Sequence, residues 1–158
     1  MMLIMLDTLQ QSPVLKNHCA AGLQAIEAKY RKCVQLKDSR VSCSLNIDEA
    51  YREAEPQNNR WDYYIHVIGG PKLAYAVFFE PHTCTTKEVS CFLEKHKWLL
   101  EKIKSPLSFL IRGTIRQFYF WVPSSGNKIA KHTPQYRRLK KTSIEIVKVI
   151  HDSHLEVV

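Results

Sequence analysis

The segment Leu73-Ala-Tyr-Ala-Val-Phe-Phe-Glu80 is apolar at every position before its closing acid. A strand with one wet face alternates polar and apolar residues, whereas an unbroken apolar run marks a strand covered on both faces. This segment therefore reads as the centre of a sheet, and the rest of the chain must supply a layer above it and a layer below. At 158 residues the chain fits one domain, residues 1–158, which buries roughly two-thirds of its unfolded surface without staples.

A second apolar run, 61–68, precedes the first, with Gly69-Gly70-Pro71-Lys72 between them. The glycines supply the positive backbone angles of a tight reversal. Reflection across Gly70-Pro71 sets opposite one another residues whose numbers sum to 141 or 142, so Asp62 and Glu80 are expected as cross-strand neighbours, within one residue of register. Pro81 cannot donate to a ladder, so the strand is expected to fray or reach an edge there. His82 shares Glu80's face if the backbone stays extended.

Around this hairpin the periodicities predict further elements. Cys19, Leu23, Ile26, Tyr30 and Cys33 recur at helical steps over 17–34, with Glu27 at the stripe's edge. Val41, Cys43, Leu45 and Ile47 alternate with Ser42, Ser44, Asn46 and Asp48, a strand with one wet face. Residues 53–60 are a polar loop. Thr85 and Glu88 have capping-box spacing at the start of a helix over 85–104, whose buried stripe is Val89, Phe92, Leu93, His96, Leu100 and Ile103. His96 reads as a satisfied helix-edge residue rather than a ligand. Pro106 stops that helix. A strand over 115–123 closes in Pro123-Ser124-Ser125-Gly126-Asn127. Thr133-Pro134 opens a short basic helix, and 144–150 is a last strand or a continued helix. The order predicts an α/β fold of three layers, α/β/α, with a central mixed sheet.

The opening MMLIML has no basic residue before it and is too short for a signal peptide, so it reads as the start of a strand or helix. No run is long enough to span a membrane. The cysteines at 19, 33, 43, 84 and 91 are odd in number, without a CxxC pair, and read as reduced core thiols of a cytoplasmic protein rather than a zinc site.

Charge is unevenly placed within the net +8. From 102 to 144 there are ten Lys or Arg residues and no acid. This basic portion attracts polyanions, nucleic acid first among them, or meets an acidic protein partner.

Two carboxylates at the end of a buried strand repel and are costly unless something positive joins them. A divalent cation is one answer, and hard oxygen donors suit magnesium or manganese. The other is structural: Asp62 bonding turn amides near Asn58, and Glu80 pairing with Lys72, Lys87 or an arginine.

This order of elements, with an acid opening one core strand and another closing the next, resembles the PD-(D/E)xK nucleases, the restriction-endonuclease-like superfamily with core order αβββαβ. The resemblance covers residues 17–123. It implies metal ligation by Asp62 and Glu80, completed by Glu27 on the first helix, with His82 standing where the family has the lysine that orients or activates the attacking water. It places Asp62, Glu80 and His82 as catalytic residues, and Lys128, Lys131, Arg137, Arg138, Lys140 and Lys141 as phosphate contacts. Glu80-Pro81-His82 departs from the family in its histidine and its proline. The implied activity is metal-dependent hydrolysis of phosphodiester bonds in nucleic acid, DNA before RNA. The alternative is a catalytically silent module that binds nucleic acid or a protein on the same scaffold. Two-fold dimerisation is the default expectation, and no P-loop, Rossmann, GxSxG or HExxH motif appears.

Overall fold

A computed structural model describes residues 2–70 and 73–155. Its centre is one mixed sheet of six strands in the spatial order of the chain: β1 (Cys19–Ala21), β2 (Arg40–Asn46), β3 (Tyr63–Gly70), β4 (Leu73–Thr85), β5 (Arg116–Lys128) and β6 (Ile144–Ile146). The first four strands form an antiparallel meander, and β5 and β6 then run parallel to β4. The crossover from β4 to β5 is made by α3 (Val89–Lys104).

Leu73–Phe79 is central, as its unbroken apolar run predicts. Ala76 and Phe78 face one core, where they meet α3, while Val77 and Phe79 face a second core on the other side. The first core also takes residues of α2 (Ile47–Tyr51) and α4 (Pro134–Lys140), together with Leu9 of α1 (Met2–Gln10). The second core is closed by the 3-10 helix Ala28–Cys33 and by the segment from Val147 to Leu155. No helix among the described residues is long and apolar enough to cross a membrane, and all five thiols are free.

Several local expectations are corrected. Residues 17–34 do not form a helix. Gly22 sits at φ +55°, which bends the backbone away after β1, and Ala25 N–H is taken up by the Ser44 hydroxyl at 3.0 Å. The apolar stripe is instead divided between a short edge strand and the 3-10 helix. β2 is not half wet, because Ser42 and Ser44 are 5% and 0% exposed. Ile47 and Asp48 leave the strand for α2, whose cap is Asn46 accepting Glu49 N–H at 3.0 Å.

β4 does not end at Glu80. It continues through Pro81 and His82, which lie opposite Val122 and Pro123 of β5. The β3 ladder stops at Tyr63–Phe79, so proline enters where that flank of β4 has no paired strand among the described residues. β5 likewise runs on through the expected closing turn, with Gly126 at φ +88° and a register shift opposite His82–Cys84. Thr85 is no cap; its hydroxyl has no partner among the described residues, and the short 3-10 helix Thr86–Glu88 precedes α3. The last strand is confined to 144–146. Pro71 and Lys72 of the expected turn, and with them the Lys72 pairing, lie outside the described residues. Thr133 caps α4 as predicted, accepting Tyr136 N–H at 3.2 Å.

Candidate functional site

β3 and β4 pair in the register whose residue numbers sum to 142, seen in Tyr63 opposite Phe79. One step further toward the sheet's rim this brings Asp62 beside Glu80. Glu80 belongs with Ala76 and Phe78 on the face covered by α3, and it is wholly buried. Its Oε1 accepts the Asp62 backbone N–H at 2.9 Å. Its Oε2 lies 2.6 Å from the ammonium of Lys95, which descends from α3 and is itself only 15% exposed.

Lys95 was not among the sequence candidates, and neither Lys87 nor an arginine takes the partnership. The burial of α3 explains why. Its inward stripe is Val89, Phe92, His96, Leu99 and Ile103. Leu99 is fully buried while the expected Leu100 is 37% exposed. That shift rotates Lys95 toward the sheet, one position along from His96. Phe92 fixes the height of the helix by stacking on Trp121 with centroids 3.9 Å apart. The Trp121 indole N–H in turn donates to the His82 carbonyl at 3.2 Å.

Among the described residues the Asp62 carboxylate accepts no hydrogen bond and joins no ion pair, unlike Glu80. The expected bond to turn amides near Asn58 is not made. Burial pushes the Asp62 carboxyl up to about 6; Lys95 draws it back, Asp48 adds to the rise, His82 opposes it and Glu27 adds again. For Glu80 the direction is also upward, first from burial and then from the Asp62 charge, against the pull of Lys95 and the Asp62 N–H. Burial works against the Lys95 ammonium, but Glu80 and Asp62 outweigh it and hold that group above the usual range. The three side chains form one electrostatic unit of two acids and one cation.

His82 follows on the same face, half-buried, with its Nε2 3.3 Å from Glu88 Oε2. Glu27 stands on no α-helix: it precedes the 3-10 helix, its side chain is 55% exposed, and it lies 3.7 Å from Lys29. His96 is buried with its Nε2 unpartnered, and burial holds its pKa down to about 4, so it is a neutral core ring rather than a satisfied edge residue. Among the described residues no three His, Cys, Asp or Glu side chains gather closely enough to hold a metal ion by themselves. The hard oxygen donors here are those of Asp62, uncommitted among the described residues, and of Glu80, whose two oxygens are taken by the Asp62 N–H and by Lys95.

The basic portion lies beside this site. α4 packs on α3, and Arg138 Nη1 reaches the Ser90 hydroxyl at 3.4 Å, two residues after Glu88. Arg137, Lys140 and Lys141 are exposed, as are Lys128 at the end of β5 and Lys131 beyond it. Among the described residues none of the six pairs with a carboxylate; the ion pairs lie elsewhere, as in Arg60–Asp48 and Lys102–Glu55. Tyr119 and Trp121 are packing residues within the aromatic cluster under α3, as their alternation implies. Comparison with protein-family models, curated proteins and solved structures found no match to this chain.

Proposed function

We propose that this chain is a metal-dependent phosphodiesterase of the restriction-endonuclease-like type, acting on nucleic acid. The observation that carries the reading is the convergence of Asp62 and Glu80 at the rim of a central sheet with Lys95 at 2.6 Å from Glu80. The antiparallel meander β2–β4 followed by a helical crossover to the parallel β5 supports the same scaffold. In this reading Lys95, delivered from α3, supplies the cation that the residue two after Glu80 lacks, since that residue is His82.

Asp62 and Glu80 are the residues that would hold magnesium or manganese, which when bound supplies polarisation of a phosphoryl oxygen and acidification of a water. The chain's own groups divide the remaining work. Asp62, titrating near 6 and free of partners among the described residues, is ionised at neutral pH and so has the charge a dication ligand needs. Lys95 remains a cation and offers its ammonium to a phosphate oxygen as negative charge develops. His82, tied to Glu88, orients groups at the rim. The unpaired cations of α4, with Lys128 and Lys131, hold the flanking phosphates.

Incubation of the pure protein with plasmid and with single-stranded DNA, with manganese and with chelator, tests the proposal. Cleavage that requires the metal and is lost in Asp62→Ala and Lys95→Met supports it. Cleavage unaltered in Asp62→Ala overturns it. The closed Lys95–Glu80 pair favours one second reading, a silent module that binds nucleic acid without cutting it. Salt-sensitive binding with no hydrolysis under any metal selects that reading.

A further inference from the structure

A cleft of about 430 Å³ opens on the face of the sheet opposite α3, at the ends of β4 and β5. Its floor is Pro81 and Val122, both buried, and one wall is the half-buried ring of Tyr30. Exposed Lys29, Lys32 and Lys148 stand at its rim, and no Asp or Glu among the described residues lines it. The two walls are tied to each other: Gln35 N–H donates to the Ile150 carbonyl at 2.9 Å, and Ile150 N–H to the Cys33 carbonyl at 2.8 Å. The segments that carry the two walls are therefore joined by backbone bonds.

The cleft lies across the sheet from the acid pair, at the same end of β4. Pro81 follows Glu80 directly, and the Tyr30 ring lies 6.3 Å from that of Tyr63, the residue after Asp62. An apolar floor with an aromatic wall suits the face of a nucleobase, and Lys32 and Lys148, which pair with no carboxylate among the described residues, suit phosphate, while Lys29 lies 3.7 Å from Glu27. The volume falls within the roughly 300–1,000 Å³ typical of small-ligand sites. A base can lay its face on that floor only when it is out of a duplex stack.

We infer that this cleft binds an unpaired nucleotide of a strand that passes over the rim of the sheet between this face and the acid pair on the other, so that the substrate is single-stranded nucleic acid. The inference rests on the nuclease reading for the position of the cut, but its test does not need cleavage. Fluorescence anisotropy in chelator and low salt compares a labelled oligothymidylate, the same strand annealed to its complement, and thymidine monophosphate as competitor. The variants are Lys32→Glu/Lys148→Glu and Tyr30→Leu in the cleft, Tyr30→Phe to keep the ring, and Arg137→Glu/Arg138→Glu on α4. Matched thermal unfolding establishes that each is folded.

The expected result is single-strand affinity about tenfold weaker in both cleft variants, retained in Tyr30→Phe, with duplex binding unchanged. Single-strand affinity equal to wild type in the cleft variants overturns the inference, even where the α4 variant loses binding and manganese-dependent cleavage is present. Monophosphate that binds as tightly as the strand overturns the strand assignment in favour of a free nucleotide. A cleft effect that persists in a protein with no cleavage under any metal removes the nuclease reading alone and leaves the cleft as a single-strand site.

Discussion

Buried acids make stability depend on pH in a direction opposite to the common one. In the unfolded chain Asp62 and Glu80 titrate near ~4, but in the fold Asp62 titrates near 6 and Glu80 higher still. The folded state thus holds protons that the unfolded state has released. Their contribution to stability is complete below about 4 and is lost as pH rises through about 6 and beyond. Asp62→Asn should consequently stabilise the protein by about 1–2 kcal/mol near pH 8, after allowance for partial exposure, with the gain roughly halved near pH 5 and gone below about 4. Urea unfolding at the two pH values measures it; an Asp62→Asn chain weaker than wild type near pH 8 would sink the burial account of the pair. Lys95→Met removes the cation paired with Glu80 and should cost about 3 kcal/mol at the same pH. Adding Glu80→Gln should recover most of that loss, because no buried charge is then left alone. Any manganese binding should weaken as pH falls through about 6, where the metal-free Asp62 carboxyl takes up a proton, which titration calorimetry at two pH values measures.

At the scale of elements, the register of β3 against β4 could be read from a pair of glycines and a sum of residue numbers, because side-chain alternation in a two-strand reversal leaves little freedom. The contribution of α3 to the acid pair was harder to see. Lys95 is three residues after Phe92 and four before Leu99, so it borders the stripe 89, 92, 96, 99, 103, whose steps alternate three and four. Choosing Leu100 over Leu99 turns the same helix by one position and sends Lys95 to solvent. Residues 17–34 misled for a different reason: apolar spacing of three and four also fits a 3-10 helix beside an edge strand, and only Gly22 marks the break. The Thr85–Glu88 spacing matched a capping box, yet Glu88 turns to His82 and Thr86 takes the bonding role, accepting Ala130 N–H at 2.9 Å. Thr85→Val should therefore be neutral or slightly stabilising, whereas Thr86→Val should cost about 1–2 kcal/mol. Thermal unfolding of the two variants separates them, and equal losses would restore the capping box.

For the whole molecule, the separation of charge along the chain persists in space at α4 but not at Lys102, which an early acid neutralises. Acids line the early strands and their loops, where Asp48 holds Arg60 at 2.9 Å and Glu55 holds Lys102. The cations of α4 have no such partners among the described residues and stand next to the start of α3. If they neutralise phosphates, replacing Arg137, Arg138, Lys140 and Lys141 with alanine should flatten the dependence of log affinity on log salt. Every phosphate left without its cation should lower the slope by about 0.7–0.9. Titrations at several salt concentrations give that slope, and an unchanged value would assign these residues to another partner.

Asp152 joins distant parts of the chain: its carboxylate accepts the backbone N–H groups of Lys37, Asp38 and Ser39 at 2.8, 3.1 and 3.0 Å. Those three amides hold it at about 2 despite the cost of burial, so the clasp is whole at neutral pH and is lost only as pH falls from about 4 through about 2. During synthesis this clasp and the neighbouring bridge of Val34 to Ile150 must wait until almost all of the described chain has emerged. The Tyr30 wall is translated early but gains its facing wall last, so the cleft takes shape only once the segment around Lys148 and Ile150 is in place.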